Sequence, residues 1–409
     1  MARHVMRAVS FAAFLLVSAA AQAASNFKTI FSFDVSDGET PNGTLIADKA
    51  GDLLGVTMQG GPADAGTIFA LPPHGRLKML YSFDGTYSAP SGPLLLLPSG
   101  TYYGTASAGG YGPDPGCGAV FKMHPRLPLN GAFTTLYVFQ GPDGCQPAFG
   151  VTLKHHDQLY GITATGGTYG DGVLFQLNPE TGVEMVLHAF GGPGDGAYPS
   201  SGLTPGIGGN YYGTTSSGGL NGLGTVYQIA PDGTESLIYS FTGQEDGAGP
   251  TGGVIQDDVG NLYGVTSAGG DLSCVYSSTP GCGVVFKILT NDTEKTLHTF
   301  NNKNFPDSYV EPTGGVIMGA GGTLYGNASG GGRDFVGFTF QVTPSGKMTV
   351  LHNFKRGDEG GGGYPNGITP VNGLVQNAAG ALFGTTSFGG KYGGQGGSGG
   401  GGTIFRITP

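Results

Sequence analysis

Asp-Gly followed closely by Pro recurs at Asp37, Gly38 and Pro41, at Asp143, Gly144 and Pro147, at Asp195, Gly196 and Pro199, and at Asp246, Gly247 and Pro250. Looser versions contain Asp84, Asp307 and Asp358. A ring of such carboxylates has the chemistry to hold calcium or a sugar. The same residues also make a turn, because Asp accepts backbone N–H groups, Gly takes positive φ and Pro fixes the exit. A calcium cage gathers roughly six to eight oxygens, and one Asp per repeat does not supply that, so the turn is the expected role. His188, His298 and His352 suggest a metal triad by type, but each replaces a Tyr of a recurring LYSF-like phrase (Tyr81, Tyr137, Tyr239) and therefore falls on a separate strand. His155 and His156 sit in a tight turn. No residue is assigned as a metal ligand and no cofactor is expected.

Two further groups break the repeat pattern. Asp307, Glu311, Asp334, Asp358 and Glu359 are carboxylates that would serve acid–base cleavage of a polysaccharide if two of them met about 5–10 Å apart. Tyr111, Tyr169, Tyr198, Tyr309, Tyr364 and Tyr392 are irregularly placed loop aromatics. In a chain with no Trp they are what remains for stacking on a sugar or packing against a protein. Together with Glu311, Asp334 and Asp358 they form the candidate binding set. The Tyr of the LYG phrases (Tyr103, Tyr160, Tyr212, Tyr263, Tyr325) recurs in nearly every repeat, and packing is expected of it. No GxxxxGK[ST] loop, GxSxG elbow or HExxH pair occurs. A net charge of −10 without a basic cluster excludes a nucleic-acid partner.

The elements that must position these residues follow from composition and repetition. Gly and Pro number 82 and 26 of 409 residues, yet 38% of the chain is apolar and only 11% charged. Such a chain can bury a core but not build long helices. One phrase recurs seven times, as LLGVT (53–57), YYGTA (102–106), LYGIT (159–163), YYGTT (211–215), LYGVT (262–266), LYGNA (324–328) and LFGTT (382–386). A Gly-rich step follows each, then GTIFAL, GAVFKM, GVLFQL, GTVYQI, GVVFKI, GFTFQV or GTIFRI, and most units close on a LYSF-like strand. With a Gly-led apolar stretch before each LYG phrase, every unit offers four short strands, A to D. That is the pattern of a β-propeller blade.

The separation from the A Gly to the LYG Gly is 11 or 12 in all seven units, whereas the B-to-C and D-to-A connections range from 11 to 19 and from 9 to 19. In a four-stranded meander these two variable connections emerge on one face. The chain starts on a lone D-type strand, FKTIFSF (27–33), and ends on segment C of unit seven. The expected fold is therefore an all-β, seven-bladed β-propeller with four-stranded blades. Its blades lie near 42–83, 91–139, 149–190, 201–241, 252–300, 314–354 and 372–407 plus 27–33, and the N-terminal strand completes the last blade in a 3+1 closure that leaves no open edge.

Ahead of this domain (24–409), residues 1–23 carry Arg3, His4 and Arg7, an apolar run from Ala8 to Ala21 and an Ala-x-Ala pattern ending at Ala23. These are the marks of a cleaved signal peptide. Exported Cys favour disulfides. Cys274 and Cys282 share one loop, and Cys117 and Cys145 lie in loops of the same face, so those pairs are favoured among three pairings. The segment GGKYGGQGGSGGGG (389–402) has linker composition, suited to a mobile lid or a tolerated insertion.

The LYGTT, GG, GTVF, LYSF and DGxxP phrases, repeated in fixed order over nearly the whole chain, resemble the GloVer tandem-repeat proteins of the choice-of-anchor group. The resemblance implies an exported bacterial repeat protein, tethered in many members by a C-terminal anchor, with no established activity. No anchor segment precedes Pro409, so secretion or periplasmic residence is expected, with no membrane span. The function expected is that of a monomeric, non-enzymatic binding module whose loop face engages a glycan or an envelope protein. The alternatives are a polysaccharide hydrolase or lyase using the carboxylates named above, and a structural envelope protein.

Overall fold

A computed structural model of the chain describes residues 26–110, 116–124, 133–154, 157–274, 280–301, 310–357, 364–392 and 400–409. The expected signal peptide 1–23, Tyr111, His155, His156, Asp307, Tyr309, Asp358 and Glu359 lie outside the described residues. Seven antiparallel sheets follow one another, each a meander of strands A to D. Blade 3 is representative: Val151–Lys154, Gln158–Thr163, Val173–Leu177 and Glu184–Ala189. The ring closes as the termini suggest. Asn26–Ser32 pairs antiparallel with Thr403–Thr408, with Phe27 opposite Ile407 and Phe31 opposite Ile404, and supplies the outer strand of blade 7.

The repeated phrases have steric reasons. The Gly of each LYG phrase lies under the aromatic ring of strand C in its own blade: Gly55 under Phe69, Gly104 under Phe121, Gly161 under Phe175 and Gly213 under Tyr227. Gly264, Gly326 and Gly384 lie likewise under Phe286, Phe340 and Phe405, and any Cβ would strike the ring. That ring meets the Phe that directly follows strand D of the preceding blade. The seven pairs, Phe33/Phe69, Phe83/Phe121, Phe139/Phe175, Phe190/Tyr227, Phe241/Phe286, Phe300/Phe340 and Phe354/Phe405, have centroids 5.0–5.6 Å apart, mostly edge-to-face. The seven Phe that close the D strands are at most 2% exposed. One Gly, one ring and one Phe per repeat therefore join each blade to the next, and the repeated apolar pattern becomes a continuous belt.

The structure extends strand A beyond the sequence reading. In blades 1, 2 and 6 it begins at Glu39, Tyr87 and Pro312, ahead of the expected Gly. In blades 4 and 5 it is split into two pieces. The DGxxP segment pairs with the end of strand B, as Pro41 does with Thr57, and the register then shifts before pairing resumes at Ile46 and Leu54. The cause lies around the A Gly. Gly43, Gly92 and Gly150 hold positive φ, and a Cβ on Gly43 or Gly92 would strike the next blade's backbone, so here the backbones of neighbouring A strands touch near the axis and the strand bulges. Both disulfides form as paired above, Cys117–Cys145 and Cys274–Cys282.

Candidate functional site

Three regions of the propeller could carry function: its axis, its rim of variable loops and its outer girdle.

At the axis the A strands enclose a channel of about 650 Å³, lined by residues such as Asn42, Thr44, Thr152, Ser201, Thr313 and Asn372 together with Gly, Val, Leu and Ile. Among the described residues none that lines it is ionisable. Its hydroxyls are used between blades: Ser200, Thr251 and Thr313 donate to the carbonyls of Pro250, Pro312 and Pro370 at 2.8, 2.7 and 3.1 Å. Asn372 accepts from the Gly43 N–H and donates to the Pro41 carbonyl across the seam.

The variable connections do gather at one rim, because they bond to each other. In six blades the second Gly of the GG step donates to the D-to-A loop entering its own blade, as Gly61 to Val35, Gly167 to Gly141, Gly219 to Asp195 and Gly390 to Tyr364. The residue before the DGxxP Pro is left-handed in five blades without being Gly: Thr40, Ala89, Gln146, Tyr198 and Thr369 have φ from 52° to 59°. Each donates its N–H to the residue before the C Gly of the preceding blade, for example Tyr198 to Asp171 at 3.1 Å. The DGxxP phrase is thus an inter-blade clip, and that bonding holds a backbone conformation unfavourable by about 1 kcal/mol or more.

The candidate side chains separate on this rim. Tyr169, Tyr198 and Tyr392 are exposed, at 55%, 48% and 52%. Asp171 bonds the Tyr198 phenol and raises its pKa, and Lys391 stands 5.5 Å from the Tyr392 ring. Tyr364 is half-buried, and its carbonyl receives Gly367 and Gly390. Glu311 accepts from the Ser329 hydroxyl at 2.8 Å, and Asp334 from the Arg356 N–H at 3.2 Å. Leu220, Leu272 and Phe335 are not singled out by residue type. With Tyr169 and Tyr392, these put one exposed large apolar side chain one to three residues after the GG step in each of blades 3 to 7. The signal was in the sequence, as a position rather than a residue type.

On the outer girdle, the end of each D strand meets the start of the next blade's D strand. Tyr81 stacks on Phe133 at 4.2 Å and His352 on Phe27 at 3.5 Å. At three consecutive junctions a Glu replaces that second ring. The Tyr137 hydroxyl donates to Asp143 at 2.6 Å, with Glu184 beside them, and the Tyr239 hydroxyl donates to Asp246 at 3.0 Å, near Glu294. Between these, His188 Nε2 lies 2.9 Å from Asp195 Oδ2 beside Glu235, and one ligand atom from each of the three falls within 4.8 Å of the others. His188, His298 and His352 do lie on three different strands. What the sequence did not show is that two other segments bring carboxylates to His188.

Burial, then Asp143, raises Glu184 to about 7 against the opposing bond from Tyr137. Burial likewise takes Glu294 to about 7, with the Thr296 hydroxyl opposing and Asp246 adding. Glu235 is raised by burial and Asp195, with His188 opposing. Burial disfavours the charged His188 ring, but the Asp195 bond and charge outweigh it and raise its pKa. The DGxxP carboxylates also turn their loops: Asp143 accepts Gln140 N–H, Asp195 accepts Gly196 N–H and Asp246 accepts Thr242 N–H.

With the fold and these regions defined, the chain belongs to the Gloeobacter/Verrucomicrobia repeat family, whose model matches residues 17–219, 112–304 and 205–409. Among curated proteins none matches the chain in sequence. It is similar to several solved propellers. A streptogramin B lyase is 14% identical, with TM-score 0.58 and 94% and 97% of the two chains covered. An oligogalacturonate lyase from Vibrio parahaemolyticus is 11% identical, with TM-score 0.52 and 94% and 96% covered. An oligogalacturonate lyase in complex with manganese is 10% identical, with TM-score 0.53 and the same coverage. At these identities the likeness shows the fold alone. The two disulfides fit an oxidising compartment outside the cytoplasm. Among the described residues no helix is long and apolar enough to cross a membrane.

Proposed function

We propose that this protein is an exported binding module whose loop rim engages a protein of the extracytoplasmic space. The observation that carries the reading is the exposed apolar tip repeated on the B-to-C connections: Tyr169, Leu220, Leu272, Phe335 and Tyr392, from 43% to 80% exposed. Left to solvent, each is unfavourable. A set at equivalent positions, four of them on loops anchored by a GG step, is what a recognition surface requires. Phe335, like Tyr198, is presented on a left-handed backbone (φ 61° and 54°), so its projection is imposed by the scaffold. The mixture of aliphatic and aromatic tips favours a polypeptide over a glycan, whose stacking needs flat rings. Among the described residues the axial channel has no ionisable side chain, so none of them offers the hydrolase or lyase alternative an acid–base pair there.

The test is to screen the purified chain against arrays of secreted and envelope polypeptides and of glycans, then to repeat it with Tyr169→Ser/Phe335→Ser/Tyr392→Ser. The expected result is a polypeptide ligand whose affinity falls more than about tenfold in that variant and is unchanged in Ile207→Ser/Val259→Ser, whose exposed side chains lie in the A-to-B turns opposite. A glycan ligand alone, no ligand, or binding indifferent to the rim tips overturns the reading.

A further inference from the structure

The geometry points to a divalent-cation site, zinc by its donor set, at the junction of blades 3 and 4, formed by His188, Asp195 and Glu235. It is independent of the loop-rim reading. The three come from strand D of blade 3, the connection that follows it and the first residue of strand D in blade 4, so a bound ion would fasten one blade to the next. Zinc takes imidazole nitrogen and carboxylate oxygen at about 2.0–2.2 Å, which sets its ligand atoms roughly 3–3.5 Å apart. His188 Nε2 and Asp195 Oδ2, at 2.9 Å, are already near that spacing, and the Glu235 carboxylate is within 4.8 Å of both. The Asp195 carboxylate is oriented by its other oxygen, which accepts the Gly196 N–H at 2.6 Å, an outer contact of the kind that fixes metal ligands. The His188 ring is held edge-on by Phe190, with centroids 4.8 Å apart. The site is half-open, leaving the fourth position of a tetrahedral ion to water.

The neighbouring junctions provide an internal comparison. Tyr137–Asp143–Glu184 and Tyr239–Asp246–Glu294 repeat the two carboxylates, but Tyr takes the place of His188 and spends its proton on the Asp. A phenol whose pKa is raised offers no ligand where an imidazole offers a lone pair. Of these three junctions only the central one has a nitrogen donor.

Zinc binding to the full chain is measured by calorimetric titration and by thermal melts with and without zinc. The expected result is one equivalent bound, with a rise in Tm. His188→Tyr, which copies the neighbouring junctions and should fold as they do, is expected to weaken that equivalent by about 100-fold or more, beyond the effect of losing an outer contact. Glu235→Gln should also lose it, while His298→Tyr should keep it. Absence of a one-equivalent event in a chain that melts cooperatively, or its survival in His188→Tyr, overturns the assignment.

Discussion

Replacing Glu184 and Glu294 together by Gln is expected to stabilise the protein in a pH-dependent way whose sign the structure fixes. Both carboxyls are half-buried on the girdle beside a second acid, Asp143 or Asp246, and both are raised from 4.5 to about 7. A raised acid favours the folded state most below its unfolded value, near pH 4.5. That contribution is lost as pH rises through 7, because the unfolded chain ionises first. Taken at face value the shift is worth about 3.4 kcal/mol per group. Solvent screening of groups this exposed reduces it to about 1–2 kcal/mol each. Gln keeps the shape and cannot ionise, so the double variant should gain about 2–4 kcal/mol over the parent at pH 8 and little at pH 5. In a domain of this size about 0.8 kcal/mol corresponds to one degree, so the expected difference in Tm is ~3–5 °C at pH 8. The assay is a series of calorimetric melts of both proteins from pH 5 to 8. His298 and His352, lowered by burial, the latter to about 4, titrate alike in both proteins and cancel in the difference. A difference that is flat with pH, or that grows toward acid, refutes the argument.

Two further outcomes follow from the packing. Gly161→Ala places a methyl group against the Phe175 ring that closes the blade 2–3 junction, and overpacking there should cost about 1–3 kcal/mol, read as a lower denaturation midpoint. An exposed control such as Gly170→Ala meets no atom within 4 Å but holds a φ of 87°, so it should show a smaller loss, from backbone strain alone. Replacing Cys117 and Cys145 by Ser removes a closure spanning 28 residues, worth about 3.5 kcal/mol by the chain-entropy relation, against about 2.5 for the Cys274–Cys282 closure spanning 8. Melts of the two double variants should rank in that order.

Much of the fold was legible because a propeller blade repeats its solution. Each LYG Gly, strand C aromatic and LYSF Phe meets the same neighbours seven times, so the constraint is written into the chain seven times at nearly fixed spacing. The vacant fourth strand of the last unit was readable for the same reason: a lone D-type strand stood at the opposite end of the chain from a unit of three segments, and Asn26–Ser32 does pair with Thr403–Thr408. The loop rim was half legible. Tyr169, Tyr198 and Tyr392 were visible as aromatics, but Leu220, Leu272 and Phe335 join them only through their common step after the GG pair. Glu311 and Tyr364 look distinctive in sequence, and the structure adds that the Glu311 carboxylate accepts from Ser329 and the Tyr364 carbonyl from Gly367 and Gly390.

The sequence by itself determined the number of blades, their closure and the face on which the connections vary, because each is a property of local pattern and spacing, and it favoured the disulfide pairs that the structure then showed. Only the tertiary structure decided what the outer strands do to one another. Strand twist brings the end of one D strand against the start of the next, about fifty residues on, so that His188, Asp195 and Glu235 share a space that no single repeat contains. Chemistry made between repeats leaves no motif within one.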